Sequence, residues 1–104
     1  MARRFDIVEN LNKGRRDLYP FLLVLQHDHV MSIQSVIVAP LVRAGEGPAS
    51  GRLHPTLELD GQRYVVLTED LGSMPRNRLG RIVGSAESRD YEIVAALDML
   101  FTGV

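Results

Sequence analysis

A small, twisted, partly closed β-barrel with one C-terminal α-helix is the fold this sequence predicts, on three observations. Phe21–Gln26 and Ser35–Leu41 are apolar runs of strand length without clean alternation, as expected of strands buried on both faces. Asp60-Gly61 lies between TLEL and QRYV and supplies the positive φ angles of a two-residue type I′ hairpin turn. The closing stretch RDYEIVAALDMLFTGV repeats its apolar side chains at helical intervals. Five or more short strands followed by a single helix make a mainly β domain whose sheet curls on itself.

Each element follows from local chemistry. Arg4–Val8 reads as a first short strand, and Leu11–Asp17 (LNKGRRD) as a charged loop around Gly14. Arg43–Gly51 (RAGEGPASG) is a Gly/Pro/Ser loop after the second apolar run. The hairpin register sets Leu59 opposite Gln62, Glu58 opposite Arg63 and Leu57 opposite Tyr64. Opposite charges then face each other, and an aliphatic side chain faces a ring. Pro75 and Gly80 punctuate the next loop, and Arg81–Gly84 is one more short strand. Ser85 or Ser88 can cap the final helix, with Glu87 and Asp90 in its first turn, where the dipole favours acids.

Within that helix Ile93, Val94, Leu97, Leu100, Phe101 and Val104 fall in an arc of about 120°, the expected core-facing stripe. Ala95, Asp98, Met99 and Thr102 lie on the other side. No cation sits in the last turn to complement the negative end of the dipole; Asp98 is there instead, with the small Thr102 and Gly103 beside it. A core-covering helix with an incidental acid would give the same pattern, so the acidic end alone does not identify a partner surface.

At 104 residues the chain is expected to be one domain, 1–104, burying roughly 60–65% of its unfolded surface. Hydrophobic residues at 45% and charged residues at 24% are ordinary globular values, so composition assigns no special class. Without cysteine there is no disulfide framework and no thiol chemistry, which suits a reducing compartment. MARRFDIVEN lacks the apolar segment of a signal peptide, and FLLVL and VIVAPLV fall far short of the ~20 residues that span a bilayer. A cytoplasmic protein with no membrane association is therefore expected. A net charge of −1 argues against a nucleic-acid binder held by bulk electrostatics, so no direct nucleic-acid binding is expected of the chain alone. Eleven of the twelve basic residues are Arg, with Lys13 the exception. Arginine suits bidentate carboxylate contacts at interfaces, although a GC-rich genome would give the same skew.

Little in the sequence looks catalytic. His27-Asp28-His29 would place two imidazoles on one face of a strand, but a metal site needs a third ligand, and His54 lies beyond a long loop. A surface cluster is the better account, and no metal or cofactor is expected. Gly45-x-Gly47-x-x-x-Gly51 lacks phosphate-loop spacing and precedes a strand, and Glu69-Asp70 reads as a solvated turn without a marked partner. Arg15, Arg16, His27 and Asp28 do supply the ingredients of acid–base RNA cleavage.

Four segments in order, YPFLLVLQHD (Tyr19–Asp28), VIVAPL (Val36–Leu41), LTEDLGSMP (Leu67–Pro75) and IVAALDMLFTGV (Ile93–Val104), resemble the CcdB family, toxins of toxin–antitoxin pairs. The likeness runs from Phe5 to Val104. It implies an SH3-like barrel that forms a homodimer and performs no reaction. Such a toxin binds the DNA gyrase A subunit and traps the cleaved-DNA complex until a small CcdA-like antitoxin neutralises it. Carried over by position, the gyrase-facing set is Phe5, His29, Val30, Asp90, Asp98, Thr102, Gly103 and Val104. The antitoxin-facing set lies in the two loops, at Leu11, Lys13, Arg15, Arg16, Arg43 and Glu46. Phe21–Gln26 and the final helix, with Val94 and Leu100 flanking its arc, are expected to build the dimer.

Two departures stand out. Thr102 replaces the Trp of a C-terminal W-G-I and removes the usual aromatic anchor of a small interface, and Val24 replaces a common Asp. The resemblance therefore implies either a gyrase poison or a CcdB-like interaction protein that keeps its dimer and antitoxin but binds gyrase weakly. An RNA-cleaving toxin on the same barrel is the more distant reading.

Overall fold

The computed structural model describes residues 2–30 and 34–104. Its strands are β1 (Asp6–Asn10), β2 (Phe21–Val24), β3 (Ser35–Arg43), β4 (Thr56–Leu59), β5 (Gln62–Val66), β6 (Gly72–Pro75) and β7 (Leu79–Ser85), followed by helix α1 (Asp90–Thr102). All pairings are antiparallel, in the order β4-β5-β3-β2-β1-β7, with β6 beside β3. Seven strands thus form one curled half-barrel sheet with a helix appended, the architecture the sequence predicts.

The curl originates in β3. Ser35–Val38 pairs with β6 and Leu41–Arg43 with β5, so one nine-residue strand serves two partners on the same edge. At the far ends of the sheet β4 and β7 approach through side chains: a Cβ on Gly84 would lie 2.6 Å from Leu59 Cδ1. Glycine is what lets the sheet close there.

Both faces are apolar, which is why the strands do not alternate with polar residues. Ile7, Leu23, Leu41 and Val66 fill the inside of the curl, and the Phe21 and Tyr64 rings meet edge-on at 5.4 Å. Val8, Leu22, Val24, Val36 and Val38 form a second layer under Ala2, Met74 and Leu79. Val24 has no exposed surface, so the family's acid here would be desolvated; valine avoids that cost.

The hairpin has the expected register, with Asp60 at φ 52° and Gly61 at φ 80°. Other boundaries move. Arg4 and Phe5 belong to a turn rather than to β1, because the Arg3 amide binds the Asp6 carboxylate at 2.8 Å and the Asp6 amide binds the Arg3 carbonyl at 3.0 Å. The Gly72–Pro75 stretch, expected as loop, is β6, and β7 is longer than Arg81–Gly84. Neither Ser85 nor Ser88 caps α1, whose N-cap is Arg89; Ser85 accepts from the Glu87 amide at 3.2 Å, one residue before Ala86, the N-cap of the 3₁₀ turn Glu87–Arg89.

The helix is also rotated from the expected arc. Ile93 and Ala96 are buried, Leu97 and Leu100 half-buried, whereas Val94, Phe101 and Val104 are exposed. Ala96 is small enough to let the helix close on the barrel, so the contact stripe centres between Ala96 and Leu97. The other flank of the apolar arc is left uncovered. No helix among the described residues is long and apolar enough to cross a membrane.

Candidate protein interface

The uncovered flank of α1 is the most distinctive surface. Tyr91, Phe101 and Val104 are 79%, 69% and 72% exposed, an unusual run of large apolar side chains on so small a domain. Asp90 and Asp98 stand beside them and line, with Arg52, Tyr91, Val94 and Val104, a groove of about 420 Å³. Three residues of the expected gyrase-facing set, Asp90, Asp98 and Val104, are thereby brought together.

The end of α1 is locally determined. Gly103 takes φ +78°, and its amide closes the helix on the Met99 carbonyl at 3.0 Å. A left-handed C-cap is the position where glycine is preferred, so Gly103 has a structural reason independent of any partner. Thr102 turns its hydroxyl back to the Asp98 carbonyl at 2.6 Å, and the Val104 amide reaches that hydroxyl at 3.4 Å. From the loop before β4, Arg52 donates Nη2 to the Val104 carbonyl. Arg52 follows the Arg43–Gly51 loop, and nothing near it in the sequence marks its partner.

The remaining members of that set lie elsewhere. His29 and Val30 are exposed on the 3₁₀ turn Asp28–Val30, held against the amino-terminal turn by the Arg4 amide on Asp28 Oδ1 at 2.9 Å. Arg3 Nε adds an ion pair at 3.5 Å to Asp28 Oδ2. The Arg4 hydrogen bond, with Arg3 and His27 nearby, outweighs desolvation and lowers the Asp28 pKa. Phe5, carried over by position to the same set, is not a surface side chain. Its side chain is buried in the core, its amide donates to Val24 O at 2.7 Å, and its carbonyl accepts from the Ala86 amide at 2.8 Å.

His27 precedes that turn and Asp28 and His29 lie in it, so the three residues are not on a strand. The His27 and His29 rings lie 4.7 Å apart, with the His29 amide donating to His27 Nδ1 at 3.0 Å. Among the described residues no three side chains of metal-binding type gather.

The antitoxin-facing candidates are brought close by one side chain. Arg43 Nη1 donates to the Asp17 carbonyl at 3.0 Å and pairs with Glu46 at 3.9 Å, tying the loop after β3 to the loop after β1. Leu11, Lys13, Arg15 and Arg16 are exposed on the latter, and Arg15 stacks over the Tyr19 ring at 5.2 Å.

Glu69, expected to be solvated and unpartnered, is bound by His54 Nε2 at 2.9 and 2.8 Å. Burial raises its pKa, but hydrogen bonding and the charge of His54 lower it more, leaving it below 4.5. The folded carboxyl therefore holds its proton less tightly than the unfolded one. This stabilisation is fully present above the unfolded value and is lost as pH falls through the folded value; Asp28 acts in the same sense. Urea midpoints should accordingly fall below about pH 4.5, and Glu69→Gln should flatten part of that decline. An unchanged acid slope in the variant would mean that the pair carries no stability.

A comparison with curated protein sequences finds no match. A family model described as CcdB protein spans residues 4–103, from the turn before β1 through the capping Gly103, and this chain therefore belongs to the CcdB family.

Proposed function

We propose that the chain is the toxin of a toxin–antitoxin pair that acts in the cytoplasm by binding the DNA gyrase A subunit and holding the cleaved-DNA complex. Membership of the CcdB family supports the toxin–antitoxin part of this reading. The observation that carries the gyrase reading is the uncovered flank of α1, where exposed apolar side chains, two acids and a fixed chain end share one groove. Binding alone is enough for the proposed action. Trapping then requires only that affinity be higher for the opened enzyme than for the closed one, because a ligand shifts a population by its differential affinity. Thr102 favours a second reading, an interaction protein with weak gyrase binding, since a threonine whose hydroxyl is turned inward offers a partner little. Induced expression in cells with standard gyrase, and with gyrase altered at the toxin site, separates the two. Toxicity only with the standard enzyme is expected; equal growth in both strains would leave the second reading.

The loops tied by Arg43 would take the antitoxin, with Arg15, Arg16 and Arg43 facing carboxylates of an acidic segment. Arg15→Glu with Arg16→Glu should weaken antitoxin binding roughly tenfold or more. An unchanged titration isotherm would remove these loops from the contact.

A homodimer that uses α1 is part of the same proposal; β2, expected to share it, is instead a central strand between β1 and β3 with Leu22, Leu23 and Val24 buried, and has no free edge or face for a second chain. Val94 is exposed on the uncovered flank and Leu100 is half-buried at the edge of the contact stripe, so both can serve a second chain. Light scattering at micromolar concentration should give twice the chain mass of 11.6 kDa. A clean monomer would sink this part.

A further inference from the structure

We propose that Arg52 is a positioning residue for the C-terminal tripeptide, fixing Thr102–Val104 in the conformation a partner meets. The inference rests on the gyrase reading for its partner and on geometry for everything else. Beyond the helix cap at Gly103, the chain end has one weak internal tether, the 3.4 Å contact from the Val104 amide to the Thr102 hydroxyl. Apart from its two chain neighbours, nothing lies within 4 Å of where a Cβ on Gly103 would stand, so no packing from the rest of the fold restrains it. The guanidinium of Arg52 on the Val104 carbonyl supplies the missing restraint from outside the helix.

Arg52 can do this because its own seat is rigid. The Gly51 amide donates to His54 O and the His54 amide to Gly51 O, both at 3.1 Å, closing a four-residue turn with Arg52 inside it. His54 then binds the Glu69 carboxylate on the 3₁₀ turn Thr68–Asp70, which packs against α1. The tether runs from the helix body through Glu69, His54 and Arg52 back to the helix end. Val104 and Phe101 stay exposed while it is closed, so the contact presents the tip and does not hide it. A chain end ordered beforehand loses less entropy on binding, and that difference appears as affinity.

The test uses the full chain in three forms: parent, Arg52→Ala and Arg52→Lys. Backbone ¹⁵N relaxation of the free proteins reads the tether directly. The Gly103 and Val104 order parameters should drop in Arg52→Ala from about 0.8 toward 0.6, and Arg52→Lys, which keeps a charged donor, should restore part of the loss. Melting temperature should stay the same, because the Arg52 side chain is exposed. Titration with a gyrase A dimerisation-domain fragment should show about threefold to tenfold weaker binding for Arg52→Ala, with partial rescue by lysine. Unchanged order at Val104 overturns the proposal, as does a mobile tip that binds the fragment as tightly as the parent. A parent that fails to bind the fragment removes the gyrase reading, and the order parameters still decide whether Arg52 holds the tip.

Discussion

Replacing Thr102 with Trp should tighten binding to a gyrase A fragment by about 1–3 kcal/mol. Thr102 closes α1 on the exposed side, and its hydroxyl is used internally on Asp98 O. Removing that bond costs the helix end about 1 kcal/mol at most, since the site is open to water. In return an indole would stand beside exposed Phe101 and Val104 and give the tip the large rigid surface it lacks. Deleting Thr102–Val104 should abolish binding and leave the fold in place, because none of the three residues is buried. Sequence periodicity put Val104 on the core side; its exposure makes the deletion a cleaner probe than periodicity alone would suggest. Calorimetric titration of both variants decides the matter. If neither differs from the parent, the helix end is not the contact, and the interaction-protein reading gains.

What could be read from the sequence was whatever is set by a few neighbouring residues. Asp60-Gly61 fixes a turn through backbone φ angles, so the hairpin and its full register were legible. The runs in β2 and β3 were legible because burial on both faces demands apolar residues at every position. The β6 strand was not. Its GSMP composition is that of a loop, and only the spare edge of β3 makes a strand of it. Nor was the rotation of α1, because the apolar arc is wider than the contact it makes. Ala96 and not a larger side chain decides where the helix touches down.

The candidate surface was legible where exposure follows from helical phase and illegible where it depends on distant residues. Asp98 and Thr102 were placed outward by the 3.6-residue period, and they are outward. Arg52 and Val104, or His54 and Glu69, meet across 52 and 15 positions through a loop whose path no local rule gives. Phe5 shows the opposite limit. Positional likeness put it among contacts, but a ring two residues before Ile7 at the start of β1 falls into the core.

Ile93→Ala should destabilise the protein by about 2–5 kcal/mol, whereas Phe101→Ala should change stability by less than about 0.5 kcal/mol. Ile93 is 1% exposed and is the one large side chain of α1 that is fully buried, against the inside of the barrel near Ala86. Ala96 adds contact but little area. A thirteen-residue helix is marginal in water by itself, so α1 depends on this docking for its helicity as well as its place. Out of a typical total of 5–15 kcal/mol, the loss of Ile93 is large enough to loosen the helix and with it the surface that α1 carries. Phe101 lies on the uncovered flank and has little to lose on truncation, yet it is among the largest apolar groups offered to a partner. Urea unfolding should therefore give a much lower midpoint for Ile93→Ala at unchanged slope and a near-parental midpoint for Phe101→Ala. Binding to the gyrase fragment should fall in both, in the second without any loss of stability. Equal destabilisation by the two would mean that the helix presents the arc its sequence period suggested, with Phe101 turned into the core and no free apolar flank left to bind anything.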